Sequence, residues 1–317
     1  MRNRFKEKKW IVILASFCAI LWGSAFPVLK IGYIEMNIQT DDVYHKILIA
    51  GIRFFIAGLL ILIYAYFALD KKIKLKTKND FFKVSLLGFF QTALNYFFFY
   101  IGVANVAASK ASIINSLSNF LVIIIAHFIY KSDKLNKSKI IGIIFGFLGV
   151  LIVNLGSGID STFTFTGEGF MFISVLTAVA SSFMVKEFSR TVHPALLSAY
   201  QLLIGSSMML IVATRGNYQN LRVTPLGIGL LLYSAALSAV AFTLWTTLMK
   251  YNNPGEITMF KFLIPVSGSI LAFIFLGEPI TIKTIISLIF IVIGIILVNK
   301  NLGEYRVIEE DGKKESV

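Results

Sequence analysis

Long apolar runs separated by short polar segments dominate this chain. A helix needs about 20 mostly apolar residues to cross a bilayer core of about 30 Å. Runs of this kind, with polar residues at their ends, recur ten times. We predict spans over residues 11–30, 47–69, 84–103, 109–130, 140–155, 170–185, 195–214, 226–249, 256–276 and 283–298. The pattern therefore predicts an all-α polytopic membrane protein with ten transmembrane helices.

The amino-acid composition excludes two other classes of protein. Of the 317 residues, 56% are hydrophobic and 15% are charged, against roughly 25% charged in a typical soluble domain. The mean hydropathy is +0.78, which leaves too few polar side chains to cover a water-soluble surface. Neither a disordered chain nor an ordinary soluble domain fits these values.

The net charge of +13 comes from thirty basic and seventeen acidic residues. With ten spans and both termini on one side, twenty-two basic residues fall in the segments of that side and four on the other. Because basic segments stay in the cytoplasm, both termini are predicted to be cytoplasmic. The basic loops are expected to touch anionic membrane lipid, and no nucleic-acid partner is predicted.

The second half of the chain repeats part of the first. Residues 127–154 align with 272–299 at a shift of 145 without a gap, and nine of the 28 positions are identical. The identical pairs include Phe145/Phe290, Gly149/Gly294 and Asn154/Asn299. Five spans per copy is an odd number, so the second copy enters the membrane from the opposite side. We predict two inverted five-helix repeats, a construction typical of secondary transporters, with Asn154 and Asn299 on opposite faces.

The repeat and the spans divide the chain into five parts. We predict a cytoplasmic basic tail over 1–9, a first repeat over 10–155 and an external linker over 156–168. A second repeat covers 169–299, and a cytoplasmic tail covers 300–317.

Three short motifs resemble the EamA family of the drug/metabolite transporter superfamily. They are Trp-Gly-Ser-Ala-Phe-Pro-Val-Leu-Lys at 22–30, Arg53 followed by Phe54, Phe55 and Ala57, and Leu276, Gly277 and Glu278. The resemblance covers about residues 10 to 300. It implies a ten-helix carrier of the bacterial-type cytoplasmic (inner) membrane, often an exporter of amino acids or other small metabolites, that works by alternating access.

The chain departs from the family pattern in the first repeat. Lys131, Ser132 and Asp133 stand where the first copy often carries Leu-Gly-Glu. The fourth span has Asn119 and Phe120 where family members often place a proline. The end of the pathway formed by the first half is therefore expected to differ.

Polar side chains inside a span are candidates for function because burying them in lipid is costly. Gln91 and Asn95 are four residues apart on the third span, and Asn115 and Asn119 are four apart on the fourth, so each pair projects from one helix face. Two interpretations stand. The amides either line a polar cavity for a carboxylate, amine or amide, or join neighbouring helices.

Aromatic side chains with a polar tip suit an amphipathic substrate as well as the membrane interface. In the second copy, Tyr200 and Gln201 lie on the seventh span and Trp245 on the eighth, with Tyr200 and Trp245 as the preferred pair. In the first copy, Tyr96 and Trp22 complete the predicted substrate-binding set.

Four basic residues lie within or at the ends of the spans. Lys30, Lys110 and Arg53 are expected to extend to the headgroups. Lys261 lies four residues before Pro265, whose ring removes the hydrogen bond to the Lys261 carbonyl. We predict Lys261 as a substrate-binding residue.

Pro27 and Pro265 are the predicted hinges of a gating motion. Each proline interrupts a span, and the bend it creates would let the two parts of the helix rock. Inert packing kinks are the alternative interpretation.

No Asp or Glu lies deep in a span, which argues against a proton-driven mechanism and favours a gradient-driven facilitator or exchanger. Cys18 and the three histidines are scattered, so we predict neither a metal nor a cofactor. No acid, base or metal constellation indicates an intramembrane enzyme, and no Walker-type loop indicates ATP drive.

The sequence therefore predicts a secondary transporter, acting as a monomer or weak homodimer, that moves a small metabolite such as an amino acid, with export as the direction. Two alternatives stand beside it. One is a non-transporting receptor or assembly protein, and the other is a carrier of a quaternary amine or a nucleotide-type metabolite.

Overall fold

The computed structural model describes residues 4–39, 42–69, 74–106, 108–154 and 163–298. These residues form helices and short connections, with no strand among them. A short 3-10 turn, Arg4–Lys6, precedes the first long helix. The long helices are α1 Lys8–Glu35, α2 Val43–Ala68, α3 Lys78–Ala104, α4 Ala108–Ile129, α5 Lys137–Asn154, α6 Phe165–Phe188, α7 Pro194–Ala213, α8 Pro225–Tyr251, α9 Pro254–Leu276 and α10 Ile282–Val298.

The helices confirm an all-helical, multi-pass membrane class. By length and composition, eight of the described helices, α1 to α4 and α6 to α9, can cross a membrane. Helix α10 is apolar over 17 residues, and α5 has 18 residues. The predicted spans 140–155 and 170–185 begin too late, because α5 begins at Lys137 and α6 at Phe165.

Helix ends follow local capping chemistry. Thr77 and Asp80 form a reciprocal capping box at the start of α3. The hydroxyl of Thr224 accepts a hydrogen bond from the Gly227 N–H at the start of α8, directly before Pro225. A capping side chain satisfies one of the unpaired N–H groups of the first turn, and proline fits there because it has no N–H to satisfy.

Helices α5 and α10 pack antiparallel at close range. Ser138 Oγ, near the start of α5, donates a hydrogen bond to the Leu297 carbonyl near the end of α10 (2.7 Å). At the other end Ser287 Oγ donates to the Gly149 carbonyl (2.6 Å). Glycine permits the approach, since a Cβ added to Gly142 would lie 2.7 Å from the carbonyl oxygen of Gly294.

The remaining packing interleaves the two halves of the chain. Helix α1 packs against α8 and α9, and in the same manner α6 packs against α3 and α4. Helix α2 packs against α7. The two halves therefore share an extensive interface, and much of the hydrophobic core lies along it.

Three helices depart from regular α geometry. Helix α3 contains a π-helical turn, Gly88–Leu94, and α6 begins with another, Phe165–Gly169. Helix α9 changes to a 3-10 turn over Met259–Phe262. Helix α1 stays helical through Pro27. The predicted tail 300–317, Asn299 and most of the predicted linker 156–168 lie outside the described residues.

Candidate functional site

The ammonium group of Lys261 lies between two tryptophan rings. Its Nζ atom is 5.0 Å from the ring centroid of Trp245 and 5.8 Å from that of Trp22. The two indoles contact each other edge to face, with centroids 5.0 Å apart. Lys261 forms no ion pair with a described carboxylate. We call Trp22, Trp245 and Lys261 the tryptophan–lysine cluster; cation–π attraction compensates only part of the cost of burying the charge.

The local geometry of α9 presents Lys261 to this cluster. Pro265 has no N–H, so the helix loses a hydrogen bond one turn earlier, and the backbone there tightens into the 3-10 turn. Within that turn Met259, Phe260 and Phe262 are fully buried, whereas Lys261 is partly exposed. The predicted irregularity before Pro265 is therefore present, and within it the Lys261 side chain reaches Trp22 and Trp245.

Trp245 pairs with Trp22, whereas the sequence favoured Tyr200 as its partner. Tyr200 packs against the same hydrophobic cluster, but no ring contact joins it to Trp245. Trp22 comes from the first half of the chain and Trp245 from the second. A sequence pattern does not determine which of several aromatic residues on different helices meet.

A run of rings continues from the tryptophan–lysine cluster to Tyr96. Phe242 lies 5.8 Å from Trp22, and Phe54 lies 6.0 Å from Phe242. Tyr96 lies 4.7 Å from Phe54 and remains partly exposed. Three of the four aromatic residues predicted for the site, Trp22, Trp245 and Tyr96, therefore belong to one run of contacting rings, and Tyr200 does not.

Two of the predicted amide residues join helices. Asn95 Nδ2 on α3 donates to the Ser174 carbonyl (2.7 Å) and to Thr177 Oγ1 (3.0 Å), both on α6. Gln201 Oε1 on α7 accepts a hydrogen bond from Thr92 Oγ1 (2.7 Å), and Gln201 is buried. These contacts favour the helix-joining interpretation for Asn95 and Gln201.

The side chains of the other three predicted amide residues do not join helices by hydrogen bonds among the described residues. Gln91 lies within the π-helical turn of α3, Asn115 is exposed, and Asn119 is buried. None of their side chains makes a hydrogen bond to another described residue. A π-helical turn is frequent at functional sites. These three residues are therefore better placed to contact a ligand than Asn95 or Gln201.

The buried position of Arg53 corrects the expectation that it extends to the headgroups. Arg53 is only 5% exposed, and its guanidinium carbon lies 4.3 Å from the centroid of the Phe54 ring. Lys30 instead pairs with Glu278 (2.6 Å) in an exposed position, and Lys110 pairs with Glu168. The sequence analysis did not include Arg53 among the predicted site residues. Hydropathy indicates how far along a helix a residue lies, but it does not indicate which side of the helix the residue faces.

A polar network joins two loops at the end of the molecule where α4, α6 and α8 finish. Asp133 accepts hydrogen bonds from the Gly255 N–H (2.7 Å) and from Lys139 Nζ (2.8 Å). Ser132 and Asn253 bond each other reciprocally, each at 3.0 Å. Asp133 is thus the acid that caps the start of α9, where an anion is favoured. We call Ser132, Asp133, Lys139, Asn253 and Gly255 the loop lock.

Among the described residues no group of three or more His, Cys, Asp or Glu side chains could hold a metal ion. The three side chains of the tryptophan–lysine cluster include no carboxylate, imidazole or thiol ligand for a metal ion either. Chemically, the lysine supplies a positive charge that can attract an anion, and the indoles supply apolar contact area.

Comparisons with known proteins agree with a membrane carrier. An uncharacterized transporter from Archaeoglobus fulgidus is 26% identical over 92% of this chain and 98% of its own length. The uncharacterized transporter YvbV from Bacillus subtilis is 27% identical over 90% of each chain. A crystal structure with 14% identity has the same fold, with a TM-score of 0.75 over 91% of this chain and 98% of that one.

The family assignment rests on both halves of the chain. Residues 9–155 and 165–300 each match the EamA-like transporter family, so the domain is duplicated. Helices able to cross a membrane and relatives named as transporters agree with this match. The chain belongs to the EamA-like transporter family and is a multi-pass membrane protein, a transporter rather than an enzyme.

Proposed function

We propose that this protein is a secondary transporter for a small amphipathic solute that carries a carboxylate, such as an amino acid, and that it exports this solute by alternating access. The observation that carries the proposal is the position of Lys261. Its charge lies between Trp22 and Trp245 without an ion-pair partner among the described residues. An uncompensated charge in a membrane helix is costly, and a transported anion would compensate it.

The cluster favours a carboxylate over a quaternary amine. An aromatic cage that recognises a quaternary ammonium group uses the ring faces to attract the cation. Here Lys261 already occupies that position between the two indoles, and it would repel a second cation. A solute with a carboxylate for Lys261 and an apolar part for the rings matches both features.

The contacts between α5 and α10 support ten membrane passes in two inverted repeats. The two helices occupy equivalent positions in the two copies and pack antiparallel. Equivalent helices that run in opposite directions are what an inverted repeat requires. We extend the eight candidate spans by α5 and α10 and place both termini in the cytoplasm, according to the distribution of basic residues.

The loop lock supports alternating access. It joins the loop between α4 and α5 to the loop between α8 and α9, which lies on the cytoplasmic side in the proposed topology. The equivalent loops of the opposite face are those between α9 and α10 and between α3 and α4. Among the described residues no hydrogen bond or ion pair joins those two; instead Glu278 pairs with Lys30 and Lys110 with Glu168. This asymmetry fits a carrier that is closed at the cytoplasmic side.

The test is a flux measurement on purified protein in liposomes loaded with radiolabelled amino acids, one at a time. We expect efflux of at least one of them, and we expect Lys261→Gln to reduce it by at least about tenfold because the charge that would attract the carboxylate is lost. Lys261→Arg should retain part of the flux. Arg222→Gln removes the same charge from an exposed loop and is the matched control.

Two results would contradict different parts of the proposal, the first the substrate site and the second the substrate class. Unchanged efflux in Lys261→Gln would remove the tryptophan–lysine cluster as the substrate site while leaving transport in place. Absence of efflux for every amino acid, in wild-type protein that elutes as a folded species, would remove the proposed substrate class.

A further inference from the structure

We propose that Arg53 forms a second carboxylate-binding site, closer to the outer end of the molecule than Lys261, and that the transported anion occupies the two sites in turn. This inference rests on the proposed function for its physiological meaning. The observation that carries it is an arginine buried in a membrane helix without an acidic partner.

Arg53 lacks the partners that a buried guanidinium normally has. The residue is 5% exposed and forms no ion pair with a described carboxylate. Its Nε atom is buried without a hydrogen-bond acceptor. A guanidinium group has five N–H donors in a planar fork that matches the two oxygens of a carboxylate. The arrangement leaves this fork to bind an anion.

Tyrosine side chains lie near the guanidinium group. The Tyr96 ring lies 4.7 Å from the Phe54 ring that contacts Arg53, and the Tyr100 ring lies 6.0 Å from that of Tyr96. Tyr33 and Tyr96 both interact electrostatically with Arg53. The Tyr33 hydroxyl is buried without a well-aligned hydrogen bond. Phenolic hydroxyls donate hydrogen bonds to carboxylates. The four side chains together offer donors and no acidic group that would compete for Arg53.

The two cationic sites lie toward opposite ends of the molecule. Phe5 stacks on Tyr251 at one end, and Thr224 contacts Glu35 at the other. Lys261 follows the start of α9 at the Tyr251 end by seven residues, about 10 Å. Arg53 follows the start of α2, at the Glu35 end, by ten residues, about 15 Å. In the proposed topology Lys261 is therefore on the cytoplasmic side of Arg53.

Aromatic rings connect the two sites. Arg53 lies against Phe54, which contacts Phe242, and Phe242 contacts Trp22 of the tryptophan–lysine cluster, each step within 6.0 Å between centres. Phe54 and Phe242 are buried in this conformation, so the proposed movement requires the helices to separate there, and the rings would then contact the apolar part of an amphipathic anion. A second cation further along the path lowers the cost of moving the carboxylate through the membrane interior. The ligand class is therefore a monocarboxylate with an apolar or aromatic body.

A thiol-labelling experiment tests the site without knowledge of the natural substrate. Cys18 is the one cysteine of the chain, so Cys18→Ala gives a background without thiols. Tyr96→Cys is then placed beside Arg53. The rates of modification from outside are compared for a sulfonate-bearing and a trimethylammonium-bearing methanethiosulfonate reagent in reconstituted vesicles.

We expect the anionic reagent to react faster than the cationic one at Tyr96→Cys. Adding Arg53→Gln should lower the ratio of the two rates by at least about tenfold, and Arg53→Lys should preserve most of it, because the ratio reports the local potential. Phenylacetate should slow the modification, whereas phenethylamine, with the same ring and an opposite charge, should not. Val223→Cys in an exposed loop is the control, and its ratio should not respond to Arg53→Gln.

Each other outcome overturns the inference. A ratio that is unchanged in Arg53→Gln means that Arg53 does not set the potential at Tyr96. Failure of both reagents to react, with Val223→Cys labelled normally, means that the site is closed to anions. The inference and the proposed function can fail separately. If carboxylate flux is present but the labelling ratio does not change in Arg53→Gln, only the inference fails. If the ratio changes in Arg53→Gln but no amino acid is transported, only the proposed function fails.

Discussion

The rings of Phe145 and Phe290 lie 5.3 Å apart and are tilted by 31°, although the two residues are 145 positions apart in the chain. The contacts around them are reciprocal. Gly142 lies against Gly294, and Gly149 lies against Ser287. Positions 142 and 149 precede 287 and 294 by the same 145 residues. Each contact therefore occurs twice with the two halves exchanged, as a two-fold axis between Phe145 and Phe290 would require.

The glycine contacts at this axis are expected to be necessary for stability. Leu at position 142 would place its Cβ 2.7 Å from the Gly294 carbonyl oxygen, which belongs to the backbone and cannot rotate away. We expect Gly142→Leu to lower the free energy of unfolding by roughly 1–3 kcal/mol. Thermal unfolding in detergent measures the change.

The matched control for this prediction is Gly229→Leu. A Cβ at Gly229 meets nothing within 4 Å, so the same substitution in another membrane helix should leave the unfolding temperature nearly unchanged. Equal effects of the two substitutions would mean that the close packing of α5 and α10 is not what Gly142 provides.

The tryptophan–lysine cluster is expected to give tryptophan fluorescence that anions quench. The chain has three tryptophans, so Trp10→Phe leaves only Trp22 and Trp245. Because Lys261 raises the local anion concentration, Lys261→Gln should reduce the iodide quenching constant by about twofold or more. The quenching constant of neutral acrylamide should stay the same in both proteins. Identical iodide quenching with and without Lys261 would show that no anion reaches the indoles beside it.

The loop lock is expected to control transport. Ser132 and Asn253 are joined by two hydrogen bonds of 3.0 Å, so cysteines at both positions in the Cys18→Ala background should form a disulfide on mild oxidation. We expect flux to fall to the level of empty liposomes after oxidation and to recover with a reductant. Either single-cysteine variant is the control. Full flux through a protein shown to be cross-linked would exclude a gating role for these loops.

His193 is expected to make the stability of the protein depend on pH. Its Nδ1 atom accepts a hydrogen bond from the Ala195 N–H at the start of α7. Burial, and then the positive charge of Lys250, lower the pKa of His193 below its usual value of 6.5. The unfolded chain therefore binds a proton more readily than the folded one, and stability should fall as pH drops below about 6.5.

The control for His193 is His193→Asn, which keeps an acceptor at the cap but does not titrate in this range. We expect its unfolding temperature to decrease by less between pH 7.5 and pH 5.5 than that of the wild-type protein. A parallel decrease in both proteins would assign the pH dependence to other groups.

Much of the fold was predictable from the sequence because hydropathy acts locally. Each apolar run has to become a helix in order to satisfy its own backbone hydrogen bonds in a bilayer, whatever its neighbours do. For that reason helices lie over every predicted span, including the short one at 283–298. The irregular turn around Lys261 was equally local, since Pro265 removes a hydrogen bond wherever α9 packs.

The partners of the side chains were not predictable in the same way. Asn95 and Asn119 are both asparagines within predicted spans. Asn95 is hydrogen-bonded to α6, whereas Asn119 makes no side-chain hydrogen bond to another described residue. Arg53 is buried rather than extended toward the headgroups. These differences depend on how each helix is rotated about its axis, and that rotation is decided by packing against helices distant in sequence.

The membrane class, the helices, their internal duplication and the residue types available to a site thus follow from the amino-acid sequence alone. Helix packing adds the contacts of Lys261 with Trp22 and Trp245, the burial of Arg53 without a described acidic partner, and the joining of two loops through Asp133. The two kinds of information differ in the range over which the forces act. Backbone hydrogen bonding and hydropathy act within one helix, whereas a binding site exists only where several helices from both halves pack together.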